Sequence, residues 1–590
     1  MVRRLREPVW PTVWPTMDVL REMLVLVAVA GFLLLYGLIP IFGGDKLGLV
    51  GADEPRYAQI AREMLAEHSE VCHRENAKVF PRSPRPADLD ASLRCLVGGT
   101  VTPVLYGQPW LEKPALYYWR AMGFFKEFGV SDWSARLPAS TGAAFLIVLI
   151  YLHMRRFRPG GQLDAALITA SCLGIVSFAR GASTDMQMAA PFCIGMLGWY
   201  AWYETGRKFW LFDLYFFGAA GTLAKGPIAP FLALCIIFLF AALRREWSLL
   251  RRTVWLPGVL LYLLMVLPWY IAVQRRNPTF YRLFFLEHNL QRFATNRYQH
   301  HQPFWYYFVV LLIALMPWTV LAFRALADAI AVSVAEWKAR RKPGRYLGHS
   351  RAGDAFPEFL VLWALFPVLF FSFSGSKLPG YILPSLPPLT ILIGDYLNRV
   401  RRVGLPNWLL RSHAGVCAIL VFVLVLAPQH MKYETLVPSP GWLLIAFGSA
   451  VVVAAGVFLM VWRWGIGFVR TATLIPVVGA LVYLLGFWGN ELDVNYSARP
   501  LAREIAHEAP GVSVVATEQI KRDMDYGLSF YRNQAMVHYS TDGVPAQEHV
   551  LVVRVQDTGM LDQWLAGRVY QPLFLFETQG LAVYRVEARK

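Results

Sequence analysis

Five charged residues in two short runs could do chemistry in this sequence. The first run begins at Asp53 and ends at Arg56, and the second is the pair Glu112 and Lys113. A carboxylate can accept a proton from an attacking hydroxyl, and cationic side chains can stabilise the charge that grows on a departing phosphate. Asp53 is also a good helix N-cap, so a purely structural role for it stays open.

A helix is predicted directly after Asp53. Pro55 suits a first helical turn, and Arg56, Gln59 and Glu63 then recur at helical spacing. This pattern gives one polar face, which predicts an amphipathic helix lying on the membrane surface.

Further ionisable and aromatic residues occur in later connections between apolar segments. They are Asp185, Lys225, His288, Arg292, His300, His301, Lys377 and Tyr381. Each has a simpler explanation, because interfacial lysines often extend toward lipid headgroups and loop histidines are usually solvated. Their predicted convergence on one membrane face favours a ligand with an anionic head and an apolar tail.

The composition is that of a protein with many membrane spans. Apolar residues make up 56% of the 590 residues, charged residues only 16%, and the mean hydropathy is +0.40. The net charge of +17 lies largely in short loops between apolar runs. That distribution argues against nucleic-acid binding.

Thirteen apolar segments have the length of a membrane span. They lie at 20–42, 137–154, 163–181, 186–203, 209–224, 227–243, 254–273, 304–323, 357–373, 379–397, 407–427, 441–462 and 471–489. Every second connection is basic, which predicts a cytoplasmic N-terminus and an external C-terminus. We therefore expect a transmembrane domain at 1–494, with a first external loop at 43–136, and an external α/β domain at 495–590.

Two of the six cysteines lie in the first external loop. Cys72 and Cys95 could form a disulfide bond there, since disulfides belong to oxidising compartments. A metal site at Cys72 and His73 is the alternative. The other four lie inside apolar segments and are expected to be core thiols: Cys172, Cys193, Cys235 and Cys417.

Four motifs carry a family resemblance over most of residues 20–400. They are the runs from Asp53 to Met64, Tyr106 to Pro114, Glu287 to Phe293 and Lys377 to Pro384. In this order they resemble motifs of bacterial aminoarabinose transferases, within the dolichyl-phosphate-mannose-protein mannosyltransferase superfamily. The insert at 71–101 is longer than expected of that family.

The resemblance implies a GT-C fold with thirteen spans, external juxtamembrane helices and a small external C-terminal domain. It also implies an inverting glycosyltransferase of the bacterial inner membrane. Such an enzyme moves a sugar from a polyprenyl-phosphate donor to a lipid A-like glycolipid, a glycan or a protein at the periplasmic face. The rival interpretations are a polyprenyl-lipid transporter or flippase and a non-catalytic scaffold protein.

The resemblance also implies roles for individual residues. Catalytic roles fall on Asp53, Arg56 and Asp185. Substrate-binding roles are expected for Lys113, Arg292, Tyr381, Lys225, Lys377 and His288. A divalent metal ion, the one cofactor considered, would be bordered by Glu112 and by His300 or His301.

Overall fold

The computed structural model describes residues 17–42, 44, 46–79, 98–291, 302–340, 355–433, 439–565 and 567–589. Up to residue 488 the described chain is almost entirely helical. Its α-helices are Met17–Leu35, Asp53–Val79, Leu116–Phe128, Asp132–Phe157, Gln162–Ser171, Leu173–Ala179, Thr184–Thr205, Leu211–Lys225, Ile228–Arg244, Ser248–Thr253, Leu256–Arg276, Tyr306–Ala314, Thr319–Arg340, Phe356–Ser372, Leu386–Val400, Asn407–Tyr433, Pro440–Trp464 and Val469–Val482. This part of the described chain also contains two π-helices, Arg282–Gln291 and Tyr483–Phe487, and four 3-10 helices, Pro40–Phe42, Lys208–Trp210, Pro379–Ser385 and Ile466–Phe468. A hairpin of β1 (Val104–Leu105) and β2 (Gln108–Pro109) completes it.

Each predicted span coincides with one helix or with two consecutive helices. Among the described residues, five helices are long and apolar enough to cross a membrane, or seven if each bent pair counts as one span. The total of thirteen therefore stays a prediction. The segment predicted as one span at 304–323 is not one straight helix, since Tyr306–Ala314 and Thr319–Ala339 meet at 112°. The break contains Pro317, which lacks the amide hydrogen that a continuous helix needs.

Small residues let the membrane helices approach closely. Gly198 of the Thr184–Thr205 helix faces Asp213 of the next helix, where an added Cβ would lie 2.3 Å from the Cβ of Asp213. Close backbone approach through glycine is a common way for helices to associate within lipid.

The C-terminal domain (residues 489–589) is a small α/β unit, as predicted. Its helices are Gly489–Tyr496, Arg499–Glu508, Arg522–Arg532, Tyr539–Asp542 and Leu561–Leu565. Its strands are β3 (Val515–Glu518), β4 (Val537–His538), β5 (His549–Arg554), β6 (Tyr570–Phe576) and β7 (Leu581–Val586). The sheet order is β4-β3-β5-β7-β6, with β3 parallel to β4 and β5 and the other pairs antiparallel.

The Asp53–Val79 helix, called here the juxtamembrane helix, does carry the predicted polar face. That face is buried, because Arg56 and Gln59 are only 7% and 3% exposed. Arg62 on the same helix donates to the Phe530 carbonyl at 2.7 Å, and its guanidinium lies 4.2 Å from the Phe530 ring. The polar residues of this helix thus hold the C-terminal domain.

A buried ion pair between Arg499 and Asp132 joins the C-terminal domain to the membrane domain, and one further buried pair lies within each domain. Arg499 donates to Asp132 at 2.9 Å and to Asp493 at 2.8 Å, and Arg136 donates to Glu54 at 2.6 Å. We call these five residues the seam network. A buried charge is tolerated when it is paired and hydrogen-bonded, as each of these is.

The loop predicted at 43–136 contains a disulfide bond. Cys72 is disulfide-bonded, which favours the disulfide over the metal site. Its predicted partner, Cys95, lies outside the described residues. Cys172, Cys193, Cys235 and Cys417 are free thiols, as predicted.

Candidate active site

A cavity of about 330 Å³ brings together polar residues that are far apart in sequence. Five of the predicted site residues line it: Glu112, Lys113, Lys225, His288 and Tyr381. The rest of its wall is mostly apolar and includes Met188, Phe231, Phe284 and Phe371. The cavity thus offers ionic groups next to an apolar surface.

Asp185 lies at this cavity through its contact with Lys225. The Lys225 ammonium donates to the Asp185 carboxylate at 2.5 Å and lies 5.0 Å from the centre of the Tyr381 ring. Gly380 fits tightly here, since a Cβ at that position would lie 2.5 Å from an oxygen of Asp185. The charge of Lys113 also acts on the Asp185 carboxylate. Two cations therefore act on one carboxylate here, and both lysines line a cavity that an anionic ligand could enter.

Glu112 and His288 face each other on the cavity wall. Their closest side-chain atoms, Oε1 of Glu112 and Nε2 of His288, are 4.0 Å apart. No group of three or more potential metal-binding side chains occurs among the described residues. This pair alone falls short of the three protein ligands of a typical catalytic zinc site. The other predicted ligands, His300 and His301, and the predicted phosphate contact Arg292 all lie outside the described ranges.

Asp53 and Arg56 form an ion pair beside an aromatic cluster. The Arg56 guanidinium lies 5.2, 5.0 and 5.3 Å from the rings of Tyr57, Trp110 and Tyr526, respectively. Burial opposes the charge of Arg56, but nearby Tyr57 and Asp53 raise the pKa of its guanidinium above the usual value. The Asp53 side chain is 53% exposed, so a permanent cation holds a carboxylate that remains accessible.

Glu54 fixes the start of the juxtamembrane helix. Its carboxylate accepts from the amides of Val50 at 2.8 Å and Ala182 at 2.7 Å, and from Arg136. The described contact of the Asp53 carboxylate is with Arg56 instead. The Glu54 carboxylate is therefore buried within the fold, whereas the neighbouring Asp53 carboxylate is exposed.

Lys377 lies beside the cavity and does not line it in the described structure. Its ammonium is 6% exposed and donates to the carbonyls of Ser374 at 2.7 Å and Gln302 at 3.0 Å. Because Ser374 does line the cavity, Lys377 positions this part of the wall. Its predicted direct contact with substrate stays a prediction.

Sequence reasoning missed three residues that contact the predicted site. Trp110 and Tyr526 stack on Arg56, and Arg136 binds Glu54. Trp110 stands two residues before Glu112, so its motif could have indicated it. Nothing in the sequence around Tyr526 indicates its contact with Arg56, which lies 470 positions earlier in the chain.

Comparisons with known proteins agree with this geometry. Residues 112–271 match the family model for dolichyl-phosphate-mannose-protein mannosyltransferases. The undecaprenyl phosphate-alpha-4-amino-4-deoxy-L-arabinose arabinosyl transferase of Pseudomonas aeruginosa strain UCBPP-PA14 is 31% identical over 379 residues, covering 63% of this chain and 60% of the relative. The protein with the same name from Enterobacter sp. strain 638 is 27% identical over 551 residues, covering 86% and 87%.

Solved structures match nearly the whole chain. The crystal structure of ArnT from Cupriavidus metallidurans bound to undecaprenyl phosphate has a TM-score of 0.70 at 20% identity, covering 95% of this chain and 97% of that one. Its apo form has a TM-score of 0.71 at 21% identity, covering 96% and 98%. The fold is therefore the GT-C fold of a multi-pass membrane protein, as the resemblance implied. The chain is thus similar to aminoarabinose transferases, and its residues 112–271 match the dolichyl-phosphate-mannose-protein mannosyltransferase family.

Proposed function

We propose that this protein is an integral-membrane glycosyltransferase. It takes a sugar from a polyprenyl-phosphate donor and passes it to an envelope acceptor, by precedent a lipid A-like glycolipid. The observation that carries this proposal is the convergence of Lys113, Lys225, Tyr381, Glu112 and His288 on one apolar-walled cavity. The headgroup phosphate would bind the cations, while the isoprenoid tail would follow the apolar wall.

Each charged group has a distinct part in the proposed reaction. Lys113 and Lys225 stabilise the negative charge that grows on the departing polyprenyl phosphate, and Arg292 is the predicted third cation. Asp53 accepts the proton of the acceptor hydroxyl or orients that hydroxyl, while Arg56 holds the carboxylate in place. The acceptor oxygen forms a bond to the anomeric carbon as the carbon–phosphate oxygen bond breaks. One such displacement inverts the anomeric configuration.

A divalent metal ion at Glu112 is a separate part of the proposal, and no step above depends on it. Glu112 and His288 supply two ligand types that such an ion accepts, and His300 or His301 would add a third. Treatment with a chelator, followed by metal analysis of the purified protein, tests this part. A metal-free protein with full transfer activity contradicts it.

The proposed location is the bacterial inner membrane, with the site on the periplasmic face. We expect reporter fusions after residues 160, 248, 345 and 402 to be cytoplasmic, and fusions at 90, 290 and 590 to be external. A cytoplasmic C-terminus would contradict both the orientation and the odd number of spans.

The decisive experiment incubates purified protein with radiolabelled polyprenyl-phosphate sugars and an envelope extract. Label on an acceptor supports the transferase. Movement of unchanged lipid across a vesicle, with no labelled acceptor, supports the flippase. The identity of the labelled acceptor would also replace the family precedent with a measured substrate.

A further inference from the structure

A second cavity, of about 490 Å³, lies where the C-terminal domain, the juxtamembrane helix and the start of the Asp132–Phe157 helix meet. It shares no lining residue with the candidate active site. Its only lining carboxylate among the described residues is Asp132. Four arginines line it: Arg62, Arg499, Arg503 and Arg532.

The charges of this cavity do not balance. Arg499 is neutralised, because it pairs with Asp132 at 2.9 Å and with Asp493 at 2.8 Å. Arg62, Arg503 and Arg532 form no ion pair with any carboxylate of the described chain. The cavity therefore carries an excess of positive charge on its wall.

Backbone carbonyls orient two of these three arginines without neutralising them. Arg62 donates to the Phe530 carbonyl at 2.7 Å, and Arg532 donates to the Val512 carbonyl at 3.0 Å. Burial lowers the pKa of Arg62, although Asp132 opposes this effect. A bound anion would lower the free-energy cost of burying the Arg62 cation.

The rim of the cavity has the character of a membrane interface. Asp132 begins a helix of 26 residues whose hydropathy and length suit a membrane span. Just before it, Val130 lines the cavity and is 39% exposed. Phe128 is 54% exposed and packs on Trp133 with ring centres 5.3 Å apart. Exposed aromatic residues at the end of a span typically lie at the level of the lipid headgroups.

We propose that this cavity binds the headgroup phosphate of an anionic phospholipid from the external leaflet. Arginine is suited to this ligand because its planar guanidinium can donate two parallel hydrogen bonds to phosphate oxygens. The acyl chains would run along Phe128 and Val130 into the bilayer. The apolar rim favours a lipid over free phosphate. The site does not depend on the proposed glycosyl transfer, because its cavity is separate.

The test measures binding of a short-chain phosphatidylglycerol to the purified full-length protein in detergent. Arg503 is the best position to change, because it lines the cavity and is exposed. We expect Arg503→Glu to raise the dissociation constant at least about tenfold, the scale of one lost charge-assisted contact. Arg589→Glu makes the same charge change at an exposed position outside the cavity and should leave binding unchanged.

Three outcomes would overturn the proposal. Equal losses in Arg503→Glu and Arg589→Glu would mean that only overall charge matters. Equal binding of zwitterionic phosphatidylcholine would mean that the arginines do not select an anion. Displacement of the lipid by inorganic phosphate, at the concentration at which unlabelled phosphatidylglycerol displaces it, would mean a soluble-phosphate site. Unfolding temperatures of both variants check that each remains folded, and the milder Arg503→Gln should still weaken binding if Arg503→Glu does not fold.

Discussion

Two groups of charged residues in this protein, the seam network and the candidate active site, differ in how deeply they are buried. In the seam network the Arg136–Glu54 pair has side chains only 6% and 9% exposed. In the candidate active site the Lys225–Asp185 pair is 14% and 20% exposed, although its atoms are as close. Asp53, at 53%, is more exposed still.

The buried charges of the seam network stabilise the fold, whereas the more exposed charges of the candidate active site can contact a ligand. Breaking a sealed pair leaves an uncompensated buried charge, so the cost falls on stability. Removing a charge from an open cavity removes a contact with the ligand, so the cost falls on binding or rate. Asp53 and Glu54 are adjacent in sequence and fall on opposite sides of this division.

The largest effect is expected from Glu54→Gln in the seam network. The amide can still accept hydrogen bonds, but it leaves the Arg136 guanidinium buried without a negative partner. We expect the free energy of unfolding to fall by about 3–5 kcal/mol. Chemical denaturation of the purified protein measures this loss.

Glu67→Gln is the matched control, since Glu67 is exposed on the same juxtamembrane helix. It should change stability by less than about 0.5 kcal/mol, as surface substitutions usually do. Equal losses of stability in Glu54→Gln and Glu67→Gln would show that burial of the ion pair does not determine its contribution to stability.

Asp53→Asn should act on rate more than on stability, because the rings of Tyr57, Trp110 and Tyr526 still contact the Arg56 guanidinium. If Asp53 accepts the acceptor proton or orients the acceptor, the rate of transfer should fall by about a hundredfold or more. Donor binding should be nearly intact, because the donor phosphate binds the lysines. Single-turnover transfer and equilibrium donor binding, measured on the same preparation, separate the two quantities.

The competing role for Asp53 is that of a helix cap. Asparagine caps a helix about as well as aspartate, so a capping role predicts near-normal transfer by Asp53→Asn. That result would leave Asp185 as the better candidate for the catalytic carboxylate.

Lys113→Ala should weaken donor binding and turnover together. In the proposed mechanism the contact of Lys113 with the donor phosphate exists before the reaction and strengthens as charge develops. A charge-assisted hydrogen bond contributes roughly 1.5–3 kcal/mol, so affinity for the donor should fall about ten- to a hundredfold. Lys126→Ala, at an exposed lysine in the last turn of the Leu116–Phe128 helix, should bind the donor normally. Normal donor affinity in Lys113→Ala would remove Lys113 from the phosphate site.

Sequence patterns could predict the elements of this protein better than its contacts. Apolar runs of span length coincide with helices of the membrane domain, because lipid imposes a minimum length on such runs. The motifs located Lys113 and Tyr381, since each stands beside several other residues of its motif. The bend before Thr319 could not be predicted, because the residues of segment 304–323 on both sides of it are mostly apolar. The contact of Tyr526 with Arg56 could not be predicted, because no local rule relates a helix of the C-terminal domain to the first external loop.

The smallest effect is expected at Tyr526, which tests whether the C-terminal domain contributes to the site. Its ring is one of three aromatic rings near the Arg56 guanidinium. A cation–π contact contributes about 0.5–2 kcal/mol, and two such contacts would remain in Tyr526→Leu.

We therefore expect Tyr526→Leu to lower kcat several-fold, toward the weaker end of that range, with KM for the donor unchanged. Tyr526→Phe keeps the ring and loses only the hydroxyl, so it should transfer sugar normally. A merely structural role of the ring would lower the stability of Tyr526→Leu and leave its kcat per folded molecule unchanged. An equal loss of kcat in both variants would assign the effect to the hydroxyl. A normal kcat in Tyr526→Phe together with a lowered kcat in Tyr526→Leu would mean that the ring face holds Arg56. Through Arg56 the ring would also hold the exposed carboxylate of Asp53.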